Sequence, residues 1–355
     1  MKIRKIHIEN YKLFQNIDID FTNNGKSQNF IIIAGINGSG KTTLLKDMIY
    51  NSLINKTINK GSSIEIEYNK KNVVIDYNSL QLNASEKKIS QDFGLLPLEN
   101  KIFFYEGGLS DNKQNVKNII IKYIDSLIYE QDKKSSEAYF ITQNLLNSIF
   151  SEFDLQIQFK GINRDREILF KNSVSDNIRI EDLSNGEQEL ITKAFSIYLS
   201  EIKDSIILID EPESSLHPDW QRRVTQIYQQ IADKNNNQII VSTHSPHIVS
   251  AVYKEQIRVL LKENNKLKAI SNFKRSYGMK VDQILLEIFR INSLRIPEIE
   301  NKLKQLREMV NSDQYDTIKC KKLKEDLEHT IGFDDIDLAL IRLEIARKKK
   351  HETNQ

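Results

Sequence analysis

Residues 35–42 read Gly35-Ile36-Asn37-Gly38-Ser39-Gly40-Lys41-Thr42, a G-x-x-x-x-G-K-T run whose chemistry is polyphosphate binding. Glycines at 35, 38 and 40 let successive backbone N–H groups point into one concavity, and a helix beginning behind them adds its dipole. Lys41 is spaced to reach the β- and γ-phosphates, and Thr42 to hold Mg²⁺. Together with Asn37, Ser39 and Thr43 they make a candidate ATP-binding loop. A second constellation is Asp210-Glu211, two carboxylates directly after the apolar run at 205–209. Asp210 suits a magnesium ligand; Glu211, facing differently, suits the group that orients and deprotonates a water molecule. A third is Ser242-Thr243-His244-Ser245-Pro246. Its histidine can donate a hydrogen bond to an anionic oxygen, which fits a γ-phosphate sensor.

The elements that must carry these residues are short apolar runs rich in β-branched side chains. Residues 29–34, 205–209 and 238–241 each read as a buried parallel strand, with the chemistry at its carboxyl end, where open α/β sheets bind ligands. A helix follows the first at 43–50. Further strands are expected at 63–68, 73–77 and 101–105, with a polar stretch at 78–94. Helices are expected at 113–129 and 136–153. In the first of these Val116, Ile119, Ile120, Tyr123, Ile124 and Leu127 recur at helical spacing and form a packing face. Two strands, 155–160 and 166–171, lead back to Leu183-Ser184-Asn185-Gly186-Glu187-Gln188. Here Ser184 and Glu187 have the spacing of a capping box before a helix at 189–200. Beyond residue 273 the pattern is helical: 281–289, 296–311, 316–330 and 335–350. The fold class is α/β with a helical carboxy-terminal region.

In this order, the glycine loop, LSNGEQ, IILIDEPESSLHP and STHSP resemble the ABC-type ATPase heads of the SMC, RecF and RecN kind. The opening residues 3–12 and the alternating 17–21 are similar to the first two strands of those heads. That resemblance implies a P-loop head with ATP and Mg²⁺ as cofactors. It divides the chain into an amino-terminal lobe (1–112), a helical and hairpin insertion (113–180), a carboxy-terminal lobe (181–271) and a helical region (272–355). It also makes LSNGEQ the signature motif, whose Ser184 and Gly186 would touch the γ-phosphate held by the opposite subunit. Two ATP molecules would then be sandwiched in a homodimer. The insertion stands where SMC proteins carry long coiled coils, yet it has no sustained heptads. The stretch 210–221 and residues 277–297 are similar to the stand-alone AAA-family ATPases of bacterial antiphage operons, the PtuA kind of Septu and retron-associated systems. The implied function is an ATP-dependent switch beside a separately encoded HNH nuclease. A RecF-like DNA-binding ATPase is the alternative, and a transporter nucleotide-binding subunit a third. The chain departs from the ABC pattern in two places. Glu106, Gln81 and Gln91 all stand as candidates for the glutamine that couples Mg²⁺ to the helical lobe. Ser214-Ser215-Leu216-His217 replaces the usual S-A-L-D, so a turn around Pro212 and Pro218 is as well supported as a subunit contact.

At 355 residues the chain can bury one large core with appendages. No apolar run approaches the ~18 residues of a membrane span, and the charged, strand-like start is unlike a signal peptide. One cysteine, Cys320, excludes an intramolecular disulfide and a cysteine-based zinc site, consistent with a cytoplasmic location. A net charge of +2 gives no global case for nucleic acid. Basic residues are local: Lys160, Arg164, Arg166 and Lys171 around the hairpin, and Arg347-Lys348-Lys349-Lys350-His351 near the end.

Overall fold

The computed structural model describes residues 1–55, 61–76, 98–106, 113–163, 165–184, 186–188, 190–191, 202–214, 216–263 and 266–353. The chain forms two compact units, Met1–Ile284 and Leu285–Gln355.

The first unit begins with β1 (Lys2–Tyr11) and β2 (Phe14–Asp20), an antiparallel pair. Their alternation is the cause of their burial pattern: Ile3, Ile6, Ile8, Ile17 and Ile19 turn inward while charged neighbours stay outside. β3 (Phe30–Ala34) leads through the glycine loop into α1 (Thr43–Asn51), which is wound as a π-helix. β4 (Ser63–Tyr68) and β5 (Lys71–Asp76) complete a four-stranded antiparallel sheet in the order β2-β1-β4-β5. β6 (Ile102–Glu106) precedes α2 (Lys113–Tyr129) and α3 (Ser135–Glu152). β7 (Gln158–Ile162), β8 (Ile168–Lys171) and β9 (Ile178–Arg179) make a small antiparallel sheet. β10 (Ile206–Asp210), α4 (Pro218–Lys234), β11 (Gln238–Thr243), β12 (Ile257–Glu263) and β13 (Lys266–Ile270) follow.

The core sheet runs β13-β12-β3-β11-β10-β6, parallel throughout except for β13 at its edge. Its central strands are continuous apolar runs because both faces are covered: all five residues of β3 and of β10 and all six of β11 are buried. Each fully buried isoleucine here contributes about 1.5–3 kcal/mol of transfer free energy. The apolar face of α1 (Leu44, Leu45, Met48, Ile49) shares one core cluster with Ile31, Ile33, Leu208 and Ile240 of this sheet. That packing fixes the start of α1, and with it the loop, against the strand ends.

Of the turn expected around Pro212 and Pro218, only the part at 212–214 forms; Pro218 is instead the first residue of α4, with the His217 ring accepting from the Asp219 N–H at 3.4 Å. Proline with its preset φ is suited to that position. The helix is held by Val224, Ile227, Tyr228 and Ile231, which recur at helical spacing and are buried.

In the second unit α5 (Pro297–Asn311), α6 (Ile318–Ile331) and α7 (Ile336–Thr353) share a core of Ile299, Leu303, Leu306, Val310, Cys320, Leu327, Leu338 and Ile341. Arg295 clamps the entry to α7, bonding Asp335 at 2.7 Å and Asp337 at 2.8 Å. No described helix is long and apolar enough to cross a membrane.

Candidate functional site

Strand register assembles the site. Ala34 pairs with Thr243, Ser242 with Asp210, and Asp210 with Glu106, so the ends of β3, β11, β10 and β6 lie in one row. The loop sits at the end of that row, its Gly35 N–H donating to the Thr243 carbonyl at 3.2 Å. Gly38 and Gly40 take φ of +77° and +85°, the left-handed region that favours glycine. Gly35 is required by closeness instead: a Cβ there would lie 2.4 Å from Ser39 Oγ and 2.8 Å from the Leu260 carbonyl oxygen. Asn37 and Gly38 are exposed at the loop's tip, whereas Ser39 and Lys41 are buried.

Thr42 Oγ1 donates to Asp210 Oδ2 at 2.7 Å, and the Ser242 hydroxyl donates to the other carboxylate oxygen. A hydroxyl and a carboxylate side by side are hard oxygen donors, the set Mg²⁺ takes when phosphates and water complete its shell. No cluster of three or more metal-ligating side chains occurs among the described residues, so this is not an all-protein cage. The donor set therefore fits a magnesium ion shared with a polyphosphate. The buried Ser39 hydroxyl has no hydrogen-bond partner, leaving a further polar atom within the loop.

Lys41, only 4% exposed, donates to the Ile36 carbonyl at 3.2 Å and lies 3.5 Å from Glu211 Oε1. A buried ammonium against a carboxylate has lost much of its hydration, so a polyphosphate can exchange for that partner without a large further desolvation cost. Glu211 itself adopts φ of +47°, a strained conformation for a non-glycine residue, held by its N–H donating to the Ser242 carbonyl at 3.0 Å. The consequence is that Asp210 points to Thr42 while the next side chain reaches the opposite side of the loop, toward Lys41 and His244. His244 Nδ1 is 3.3 Å from Glu211 Oε1 and 3.4 Å from Glu213 Oε1.

Thus Lys41, Thr42, Asp210, Glu211 and His244, read separately from the sequence, come together in one place. Thr43 is the first residue of α1. Ser184 and Gly186 are elsewhere: they make no hydrogen bond or ion pair with the loop or with Asp210 and Glu211 among the described residues. Ser184 forms the capping box instead, its N–H and hydroxyl donating to Glu187 at 2.8 and 2.7 Å. Most of the helix expected at 189–200 lies outside the described residues, as do Asn185, Gln81 and Gln91. Glu106 ends β6 beside Asp210 and is ion-paired with Lys46 of α1.

Of the hairpin's four basic residues, Arg164 lies outside the described residues and two others are engaged. Arg166 pairs with Asp125 at 2.8 Å, and Lys160 donates to the Asp176 carbonyl and Asn177 at 2.9 Å. Near the carboxy terminus Lys348 and Lys349 bind Asp313 and Asp316 at 2.5 and 2.8 Å. Sequence reading missed Ser242 and Glu213 as members of the site. The first lies inside the STHSP cluster and could have been found there; the second has no local signal, because its partners are thirty residues away.

Residues 112–250 match the family described as "AAA domain, putative AbiEii toxin, Type IV TA system". The retron Ec83 probable ATPase of Escherichia coli is 26% identical over 304 residues, covering 80% of this chain and 52% of that protein. The retron Vc95 probable ATPase of Vibrio cholerae is 25% identical over 232 residues, covering 61% and 44%. The Septu protein PtuA of Bacillus thuringiensis is 23% identical over 333 residues, covering 75% and 80%. The chain thus spans about half the length of the two retron proteins. Among solved structures, an Smc head bound to the C-terminal winged-helix domain of ScpA aligns with a TM-score of 0.52 at 17% identity, over 77% of this chain and 99% of that one. The chain is thus similar to the retron ATPases and Septu PtuA, matches an AAA-domain model over residues 112–250, and shares the fold of an Smc head.

Proposed function

We propose that this protein binds MgATP at Gly35–Thr42, hydrolyses it with Glu211 as general base, and works as a dimeric switch in a bacterial antiphage system that controls a separately encoded nuclease. The observation that carries the reading is the Thr42–Asp210 contact at 2.7 Å with Lys41 against Glu211 beside it. Lys41 and the loop N–H groups bind and orient the phosphates; Glu211, released from Lys41, accepts the proton of the attacking water; His244 steadies the γ-phosphate oxygens. Magnesium, held by Thr42 and Asp210, would supply neutralisation of charge developing on the phosphates.

The dimer rests on Ser184 and Gly186. Their stretch 183–188 resembles the signature motif, which would address a nucleotide held by a second copy, and Ser184 is exposed and Gly186 half-exposed, as such a role requires. The defence role and the nuclease partner rest on the likeness to the retron and Septu proteins. The test is Lys41→Ala. Equilibrium titration with a fluorescent ATP analogue should find binding abolished in a folded variant, and wild-type affinity would overturn the loop assignment. Co-expression with the adjoining gene product should recover a complex with nuclease activity; a protein that neither associates with it nor alters its cleavage would overturn the switch role.

A further inference from the structure

We propose that Glu213 is a positioning residue that fixes the orientation and protonation of His244, leaving Glu211 free to act on water. The inference rests on the reading of Glu211 and His244 given above. One oxygen of Glu213 gathers the whole strand end. It accepts from Thr243 Oγ1 at 2.6 Å and from the His244 N–H at 2.8 Å, and it lies 3.4 Å from His244 Nδ1. Backbone and ring of one histidine are thus tied to a single carboxylate atom.

Glu211 faces the same Nδ1 at 3.3 Å, so the ring is shared by two carboxylates. Their surroundings separate their roles. The Glu213 side chain is 3% exposed and Glu211 31%, so one is fixed and the other can swing into solvent. An unprotonated Nδ1 would oppose two acceptor oxygens; the arrangement therefore requires Nδ1 to carry hydrogen and turns Nε2 away from both carboxylates. When Glu211 moves to its water, Glu213 still holds the imidazole. Glu213 Oε2 is buried with no hydrogen-bond partner, as is the Tyr228 hydroxyl of α4, whose ionisation is opposed first by burial and then by the Glu213 charge. Burial likewise pushes the Glu213 carboxyl above its ordinary range, with the Thr243 and His244 bonds pulling it back.

Two measurements test this. The first uses imidazole ¹⁵N shifts of nucleotide-free protein, with the His244 signals assigned by their loss in His244→Asn. In Glu211→Gln, where Glu213 is the remaining carboxylate at the ring, Nδ1 should stay protonated; in Glu211→Gln/Glu213→Gln it should lose that preference. An Nδ1 unprotonated in the single variant, or no change in the double, overturns the proposal. The second compares Glu213→Gln with wild type in steady-state ATPase kinetics. Glutamine keeps an acceptor for Thr243 and His244 N–H, so a purely structural role predicts normal turnover. Loss of the charge on the ring predicts kcat down about 10- to 100-fold, the scale for a lost outer partner of a functional histidine, with ATP affinity nearly unchanged. Normal kcat in a folded Glu213→Gln overturns the proposal. If the wild-type protein turned over no ATP, the proposed function would fall, while the ¹⁵N result would still decide the Glu213–His244 relation.

Discussion

Substituting alanine for Gly35 tests whether the loop's shape, as distinct from its charges, makes the phosphate site. The added Cβ meets Ser39 Oγ at 2.4 Å and the Leu260 carbonyl at 2.8 Å, where ordinary contact begins at 3.4 Å. Ser39 can rotate its hydroxyl away. Leu260 cannot move, because β12 is paired with β3 on one side and β13 on the other. The loop must therefore shift by roughly 0.6 Å, the shortfall at that carbonyl, and overpacking of this kind costs about 1–3 kcal/mol. If that strain falls on the N–H groups aimed at phosphate, ATP affinity drops roughly 5- to 150-fold at 1.4 kcal/mol per decade. Gly25→Ala is the control: its φ of +76° makes alanine unfavourable too, but a Cβ meets nothing within 4 Å and the turn lies outside the site. Fluorescent-nucleotide titration and thermal melts of both variants give the answer. Gly35→Ala should lose affinity as well as stability, Gly25→Ala stability alone. Equal ATP affinity in wild type and Gly35→Ala would refute the reasoning.

Asp210→Asn should raise the Mg²⁺ concentration needed for half-maximal ATP hydrolysis by about 10-fold or more, the scale of losing a group at a metal centre; an unchanged Mg²⁺ titration would remove Asp210 from that role. Ser184→Arg should keep nucleotide binding at Lys41 but lose ATP-dependent pairing, seen by light scattering. Mixed with Lys41→Ala it should recover part of the ATPase activity, because one composite site then stays whole; full activity of Ser184→Arg alone would end the shared-site reading. Leu306→Ala, in the core of the helical unit and fully buried, should destabilise that unit by about 2–5 kcal/mol in urea unfolding, and a loss below 1 kcal/mol would mean the three helices are not one packed body.

What could be read from sequence was whatever depends on local pattern. The runs 205–209 and 238–241 are strands because continuous β-branched residues suit a sheet covered on both faces, and their observed extents differ by one or two residues at the ends. The helices expected at 113–129 and 136–153 appear as Lys113–Tyr129 and Ser135–Glu152, since their apolar residues recur at helical period. The capping box at Ser184 also formed as spaced. Features created by register were not legible. Ser242 meets Asp210 only because β10 and β11 pair in one particular register, and Glu213 reaches Thr243 only because its turn folds back over β11. The strands Ile257–Glu263 and Lys266–Ile270 close the sheet edge and were not singled out, while α4 was hidden behind two prolines that looked like a turn.

The central claim is that Glu211 activates water for attack on ATP held by Lys41 and Thr42, and Glu211→Gln tests it most directly. The amide keeps the side chain's size but cannot take a proton. In single-turnover experiments with radiolabelled ATP, the variant should bind nucleotide as the wild type does and release phosphate about 10²-fold more slowly or worse, the usual loss of a general base. Phosphate release near the wild-type rate, with binding intact, would contradict the account and pass the role of base to another residue, with His244 the next to examine.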